Sequence, residues 1–71
     1  MRDHRVFHIL PNSDGGWAVR ETGSSLPVIA FHSKDAALNF ARNLAEINRP
    51  SRLVVYKRDK SVEREAEYQV D

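Results

Sequence analysis

The chain has 71 residues, of which 41% are apolar and 30% charged, and it has no cysteine. That is one small domain with too much apolar material to be disordered and no means of forming a disulfide. Eleven basic against ten acidic residues leave a net charge of +1, which argues against nucleic-acid binding driven by total charge.

Arg5 to Leu10 reads as a first strand, rich in β-formers. Pro11 to Gly16 stacks turn residues, and Asp14-Gly15 supplies the positive φ of a tight hairpin. Trp17 to Thr22 is a second strand, and Gly23-Ser24-Ser25 a loop. Val28 to His32 is a short third strand, with Pro27 suited to a strand start. Ser33 to Asn48 is the one clear helix. Ser33 is a good N-cap, and Asp35 sits where the helix dipole favours a carboxylate. Ala37, Phe40, Ala41, Leu44 and Asn48 follow helical spacing, with Ala36, Ala45 and Ile47 widening the stripe. Its four alanines allow close approach to a sheet. Asn48, able to take a left-handed conformation, and Pro50 end it. Arg52 to Arg58 is a fourth strand, Asp59-Lys60 a turn, and Ser61 to Tyr68 an edge strand. Residues 69–71 are expected to fray. The order β-β-β-α-β-β predicts an α+β domain over residues 1–71, with one helix on a mostly antiparallel sheet.

Side chains alternate along a strand. The spacing predicts Val6, His8, Leu10, Trp17 and Val19 on one face of the first hairpin, with Phe7, Ile9 and Ala18 on the other. Leu53 and Val55 oppose Val54 and Tyr56 in the fourth strand. Both faces of these strands carry apolar residues, yet one helix covers only one face. A second copy, packed sheet to sheet or through an edge strand, is the economical way to cover that face, and a ligand or protein partner is the other. Sheet twist and long Arg and Lys stems are the plainer alternative.

Several chemistries find little support. His4 and His8, four residues apart on a strand, lie about 13 Å apart, too far to share one metal. His32 could join them only through folding, and no metal or cofactor is expected. Ser33 is explained as a cap, and Ser13, Ser24, Ser25 and Ser61 as turn residues, so no activated nucleophile stands out. Asp14-Gly15-Gly16 is short for a phosphate cradle. Glu63, Glu65 and Glu67 share one strand face, the mark of a solvated edge rather than a catalytic pair. The expectation is a protein that is not an enzyme.

The basic-aromatic stretch Arg49, Arg52, Tyr56, Lys57, Arg58 and Lys60 is the strongest functional signal, since residues 49–60 carry five positive charges and one negative. Such a surface can stack bases and contact phosphates. With a two-residue turn at Asp59-Lys60, Tyr56 faces Glu63, Val54 faces Glu65 and Arg52 faces Glu67, and the patch is partly neutralised. A three-residue loop would instead pair Tyr56 with Arg64 and Arg52 with Tyr68, and keep the patch basic.

Asp-Gly-Gly-Trp-Ala-Val-Arg, the helix start Ser33-Lys34-Asp35-Ala36-Ala37 and Leu53-Val54-Val55-Tyr56-Lys57-Arg58-Asp59 together resemble a small bacterial domain-of-unknown-function family. Its members share a His-Val-Val-Pro-like first strand, a Gly-Trp-x-Val turn-strand, a Lys-x-Glu-Ala-like helix start and a Leu-Val-Val-His-x-Arg-Asp-Gly-like final hairpin. Phe7 to Pro11 matches the first loosely, and Trp17 with Val19 matches the second well. Tyr56 stands where that pattern often has His, and Lys60 where it has the turn Gly, which counts against a type I′ turn. The resemblance implies a bacterial or phage cytosolic protein and transfers no catalytic residue. The opening MRDHRVFHIL lacks the apolar core of a signal peptide, and no apolar run approaches the roughly 20 residues of a membrane span. The expectation is therefore a cytoplasmic, non-enzymatic interaction module that self-associates through its sheet, without membrane contact. Its candidate surface is Trp17, Arg52, Val54, Tyr56, Lys57, Arg58 and Lys60. The second expectation is a nucleic-acid-binding module using the basic-aromatic residues of the fourth strand.

Overall fold

Two hairpins built on the same kind of turn form most of the sheet. The computed structural model describes residues 4–24 and 28–70. In the first hairpin, β1 (Arg5–Pro11) returns as β2 (Trp17–Glu21). Asn12 N–H donates to Gly16 O at 2.9 Å, Gly15 N–H donates to Asn12 O at 3.2 Å, and Gly15 has φ +94°. This is a turn closed by a left-handed residue, a common hairpin connection.

Residues 12–16 are odd in number, so residues of like parity meet across the hairpin. Ile9 lies opposite Val19, and Pro11 opposite Trp17. This corrects the expected faces. Trp17 and Val19 lie with Phe7 and Ile9, while Ala18 lies with His8 and Leu10. A shift of one residue in the count across a turn moves every side chain of the second strand to the other face.

The third strand, β3 (Ile29–Phe31), is shorter than expected; Ser25 and Pro27, read as loop and strand start, lie outside the described residues. Helix α1 (Lys34–Ile47) begins at Ser33, whose Oγ accepts from Ala36 N–H at 3.1 Å. At its other end Asn48 is not left-handed (φ −108°, ψ 35°). It caps instead by donating both its backbone N–H and its side-chain Nδ2 to Leu44 O. The Asn48 Oδ1 in turn accepts from Arg5, whose guanidinium also grips Glu21 through two hydrogen bonds of 2.7 and 2.8 Å. One arginine thus ties the start of β1 to the end of β2 and to the helix terminus. Hydrogen bonding to Arg5 holds the Glu21 carboxyl below its usual range, against a smaller opposing effect of burial.

The last two strands, β4 (Ser51–Tyr56) and β5 (Val62–Tyr68), form the second hairpin, and β4 stops two residues short of the expected Arg58. Its turn repeats the first. Lys57 N–H donates to Ser61 O, Lys60 N–H donates to Lys57 O, and Lys60 has φ +73°. The loop has three residues, not two, and it sets Tyr56 opposite Val62. Glu63 is then an extra residue in β5. Beyond that bulge Val54 meets Glu65 and Arg52 meets Glu67, the pairing expected of a two-residue turn.

The sheet order is β3-β2-β1-β4-β5, with β1 and β4 parallel and all other pairs antiparallel. The fold is α+β with one helix on a five-stranded, mostly antiparallel sheet. The core lies between α1 and the sheet and contains Phe7, Ile9, Trp17, Val19, Leu53 and Val55 against Ala37, Ala41 and Ala45, the three alanines having no exposed surface. Their small side chains let the helix lie close to the strands. Buried Ser51 donates its hydroxyl to Ala45 O at 2.8 Å, satisfying a carbonyl of the last helical turn. Ile47, expected to widen the apolar stripe, is 79% exposed.

Candidate interaction face

The face of the sheet away from α1 is the open surface of the molecule. Cross-strand registers set its side chains in rows. Arg20, His8, Val54 and Glu65 form one row across β2, β1, β4 and β5. On one side of it Ala18 meets Leu10, and Tyr56 meets Val62. On the other, Val6 meets Arg52 and Arg52 meets Glu67, while Thr22 N–H bonds to Val6 O. Ala18 and Val54 are buried by their neighbours alone, Val6, His8, Leu10 and Tyr56 are half-buried, and Val62 is 49% exposed.

His8 anchors the polar part of this face. Its Nδ1 lies 2.9 Å from the Tyr56 hydroxyl and its Nε2 2.6 Å from the Thr22 hydroxyl, with the His8 and Tyr56 rings 5.8 Å apart. Burial, and secondarily the positive Arg20 beside it, push the His8 pKa down, so the neutral ring is favoured. A neutral imidazole suits both contacts, since one hydroxyl can donate to it and the other accept from it.

The residues singled out from the sequence divide between two surfaces. Arg52, Val54 and Tyr56 belong to the open face. Trp17 lies on the opposite face, 6% exposed, with the Arg58 guanidinium 4.8 Å and the Lys34 ammonium 5.0 Å from its ring centroid. Arg58 also donates to the Gly15 and Gly16 carbonyls. Arg52 is held by Glu67 at 2.7 Å and by Glu65 at 3.7 Å. Hydrogen bonding to Arg52 also lowers the Glu67 pKa. Among the described residues Lys57 and Lys60 make no side-chain hydrogen bond or close ion pair, although the Lys57 charge is felt by the Asp59 and Glu63 carboxyls. Sequence reasoning set His8 with Val6 and Leu10, as the structure does, but missed Arg20 and Thr22 as parts of that face. Correct counting across the first turn is the signal that would have found them.

The Asp14-Gly15-Gly16 turn is not arranged to cradle an anion. Gly15 N–H is given to Asn12 O and Gly16 N–H to the Asp14 carboxylate, while the carbonyls point toward Arg58. A Cβ on Gly16 would sit 2.5 Å from the Phe31 carbonyl, so this glycine is required by the approach of β3. An apolar cleft of about 70 Å³ beside Phe7, Val19, Ile29, Phe40 and Leu44 opens on the helix side. Among the described residues, no three His, Cys, Asp or Glu side chains gather as a metal site, and no helix is long and apolar enough to cross a membrane.

Residues 7–68 match a family model, DUF2188, described as an uncharacterized protein conserved in bacteria. The chain is also 40% identical over 62 residues to the uncharacterized protein YycD of Bacillus subtilis (strain 168), an alignment spanning 86% of this chain and 92% of that one. No solved structure matches.

Proposed function

The chain belongs to the DUF2188 family of uncharacterised bacterial proteins, and from that premise we propose that it is a small interaction module without enzymatic activity, associating with a second copy through its open sheet face. The observation that carries this reading is the composition of that face. Half-buried Val6, Leu10 and Tyr56 and the 49% exposed Val62 form an apolar surface over the buried Ala18 and Val54, and among the described residues no layer packs on it. Its two flanks differ in sign, with Arg20 on β2 and Glu65 and Glu67 on β5, so the surface complements itself in charge. The absence of cysteine fits a reducing cytoplasm as its place of work.

Size sets the strength of the contact. Four strands about 4.8 Å apart, β2, β1, β4 and β5, at about 3.3 Å per residue make a face of about 19 by 20 Å, and two such faces bury on the order of 800 Å² together. That is the low end for a specific interface, so the association is weak and concentration dependent. Sedimentation velocity over a concentration series tests it. The expected result is a reversible dimer that Leu10→Lys converts to a folded monomer. A monomer at about 1 mM, the weakest useful affinity, would overturn the reading.

Nucleic-acid binding through the fourth strand has weaker support. Arg52 and Arg58 are engaged within the molecule, and two lysines give little phosphate contact. Salt-sensitive binding of a short oligonucleotide that is lost on removing Lys57 and Lys60 would restore that reading.

A further inference from the structure

We propose that the two copies pack open face to open face about a two-fold axis that runs parallel to the strands and lies between β1 and β4. This rests on the self-association reading above and adds which residue meets which. The argument comes from the row Arg20–His8–Val54–Glu65. A half-turn about that axis lays the row on its own reverse. Arg20 then faces the partner's Glu65, and His8 faces the partner's Val54. Both ends of the row gain an opposite charge from the other copy.

The flanking rows agree. Continuing the parallel register beyond Ile9–Val55 sets Leu10 beside Tyr56, so the next row runs Ala18, Leu10, Tyr56, Val62. The same half-turn places Leu10 against the partner's Tyr56, apolar on apolar, and sets the partner's exposed Val62 over the already buried Ala18. In the third row Thr22 meets the partner's Glu67, a hydroxyl on a carboxylate. Val6 meets the aliphatic stem of the partner's Arg52.

The charges available within one copy leave room for this exchange. Arg20 is exposed and has no side-chain partner among the described residues, and Glu65 has only the 3.7 Å contact with Arg52. The competing two-fold axis, lying across the strands, stacks β2 on β2 and β5 on β5. It sets Arg20 near the partner's Arg20 and crowds the Glu65–Glu67 edge against its own copy. Like charges facing one another select against that geometry.

The experiment uses the full chain and two charge reversals, Arg20→Glu and Glu65→Arg, both at exposed positions. In the proposed dimer each reversal alone makes two repulsive contacts, so each variant self-associates about tenfold more weakly than the parent, or worse. Mixed together, the variants restore both attractive pairs, and sedimentation of an equimolar mixture is expected to show heterodimer at near-parental affinity. A parental dimer with no heterodimer in the mixture overturns the axis and leaves the face reading intact, provided Leu10→Lys still dissociates it. A parental monomer at about 1 mM removes both. Far-UV circular dichroism on each variant confirms that the fold is kept.

Discussion

Lys60 occupies in the second hairpin the place that Gly15 occupies in the first. Each donates its N–H to a carbonyl three residues back, and each has positive φ, +73° and +94°. Each follows an aspartate, Asp14 or Asp59, whose carboxylate accepts the N–H two residues on, that of Gly16 or Ser61. A residue with a Cβ pays about 1–2 kcal/mol for this conformation that glycine does not. Lys60→Gly is therefore expected to stabilise the protein by about 1 kcal/mol, read as a higher urea midpoint with unchanged slope. Gly15→Lys is expected to lower the midpoint by a similar or larger step. No gain in Lys60→Gly would mean that the Lys60 side chain contributes a compensating contact.

Ser51→Ala tests the helix-to-strand junction. It removes the hydroxyl that donates to Ala45 O and leaves that carbonyl buried. The expected cost is about 1–3 kcal/mol, measured by chemical denaturation. A change near zero would show that the helix end finds another donor.

The depressed pKa of His8 makes stability pH dependent. The folded state holds its proton less tightly than the unfolded chain, whose histidine titrates near 6.5. The stabilisation is complete above that value and is lost as pH falls through the lowered folded value. Glu21, Glu63 and Glu67, whose pKa values are lowered from 4.5, add their own losses only at more acidic pH. The expected outcome is a urea midpoint that declines just below pH 6.5, a decline absent in His8→Gln. A flat midpoint in the parent protein across that range would contradict it.

Arg58→Ala is expected to uncover Trp17. The guanidinium covers the indole ring and bonds to the first turn, so its loss admits water to the ring edge. Tryptophan emission shifts to longer wavelength, and stability falls by about 0.5–1 kcal/mol, the range of an exposed cation–π contact. Trp17 is the chain's single tryptophan, so the signal has one source. Unchanged emission would place the Arg58 side chain elsewhere in solution.

The fold was largely legible in the sequence because its signals are local. Ser33 announced the helix start, alanine spacing announced the buried stripe, and glycine marked the first turn. What could not be read was set by counts across turns and by distant partners. The face of Trp17 depended on the odd length of the 12–16 turn. The left-handed Lys60 ran against the preference of its own side chain. The bulge at Glu63 cancelled the effect of the longer loop, so the Arg52–Glu67 pairing agreed with the reading of a two-residue turn although the turn itself has three. An uncovered face was expected because β1 and β4 carry apolar residues on both faces and one helix covers only one. Its polar anchor needed His8, Tyr56 and Thr22 brought together from three strands.

The parallel seam between β1 and β4 joins segments far apart in the chain, Arg5 lying opposite Ser51. Each hairpin alone is a ribbon of marginal stability, and the helix between them has its alanine face buried only when both are present. Closing the seam has to overcome the entropy of the whole intervening loop before its contacts give a return. The molecule therefore folds as a single cooperative unit. A chain cut between α1 and β4 separates the two seam strands, and neither piece on its own can keep its half of the core dry.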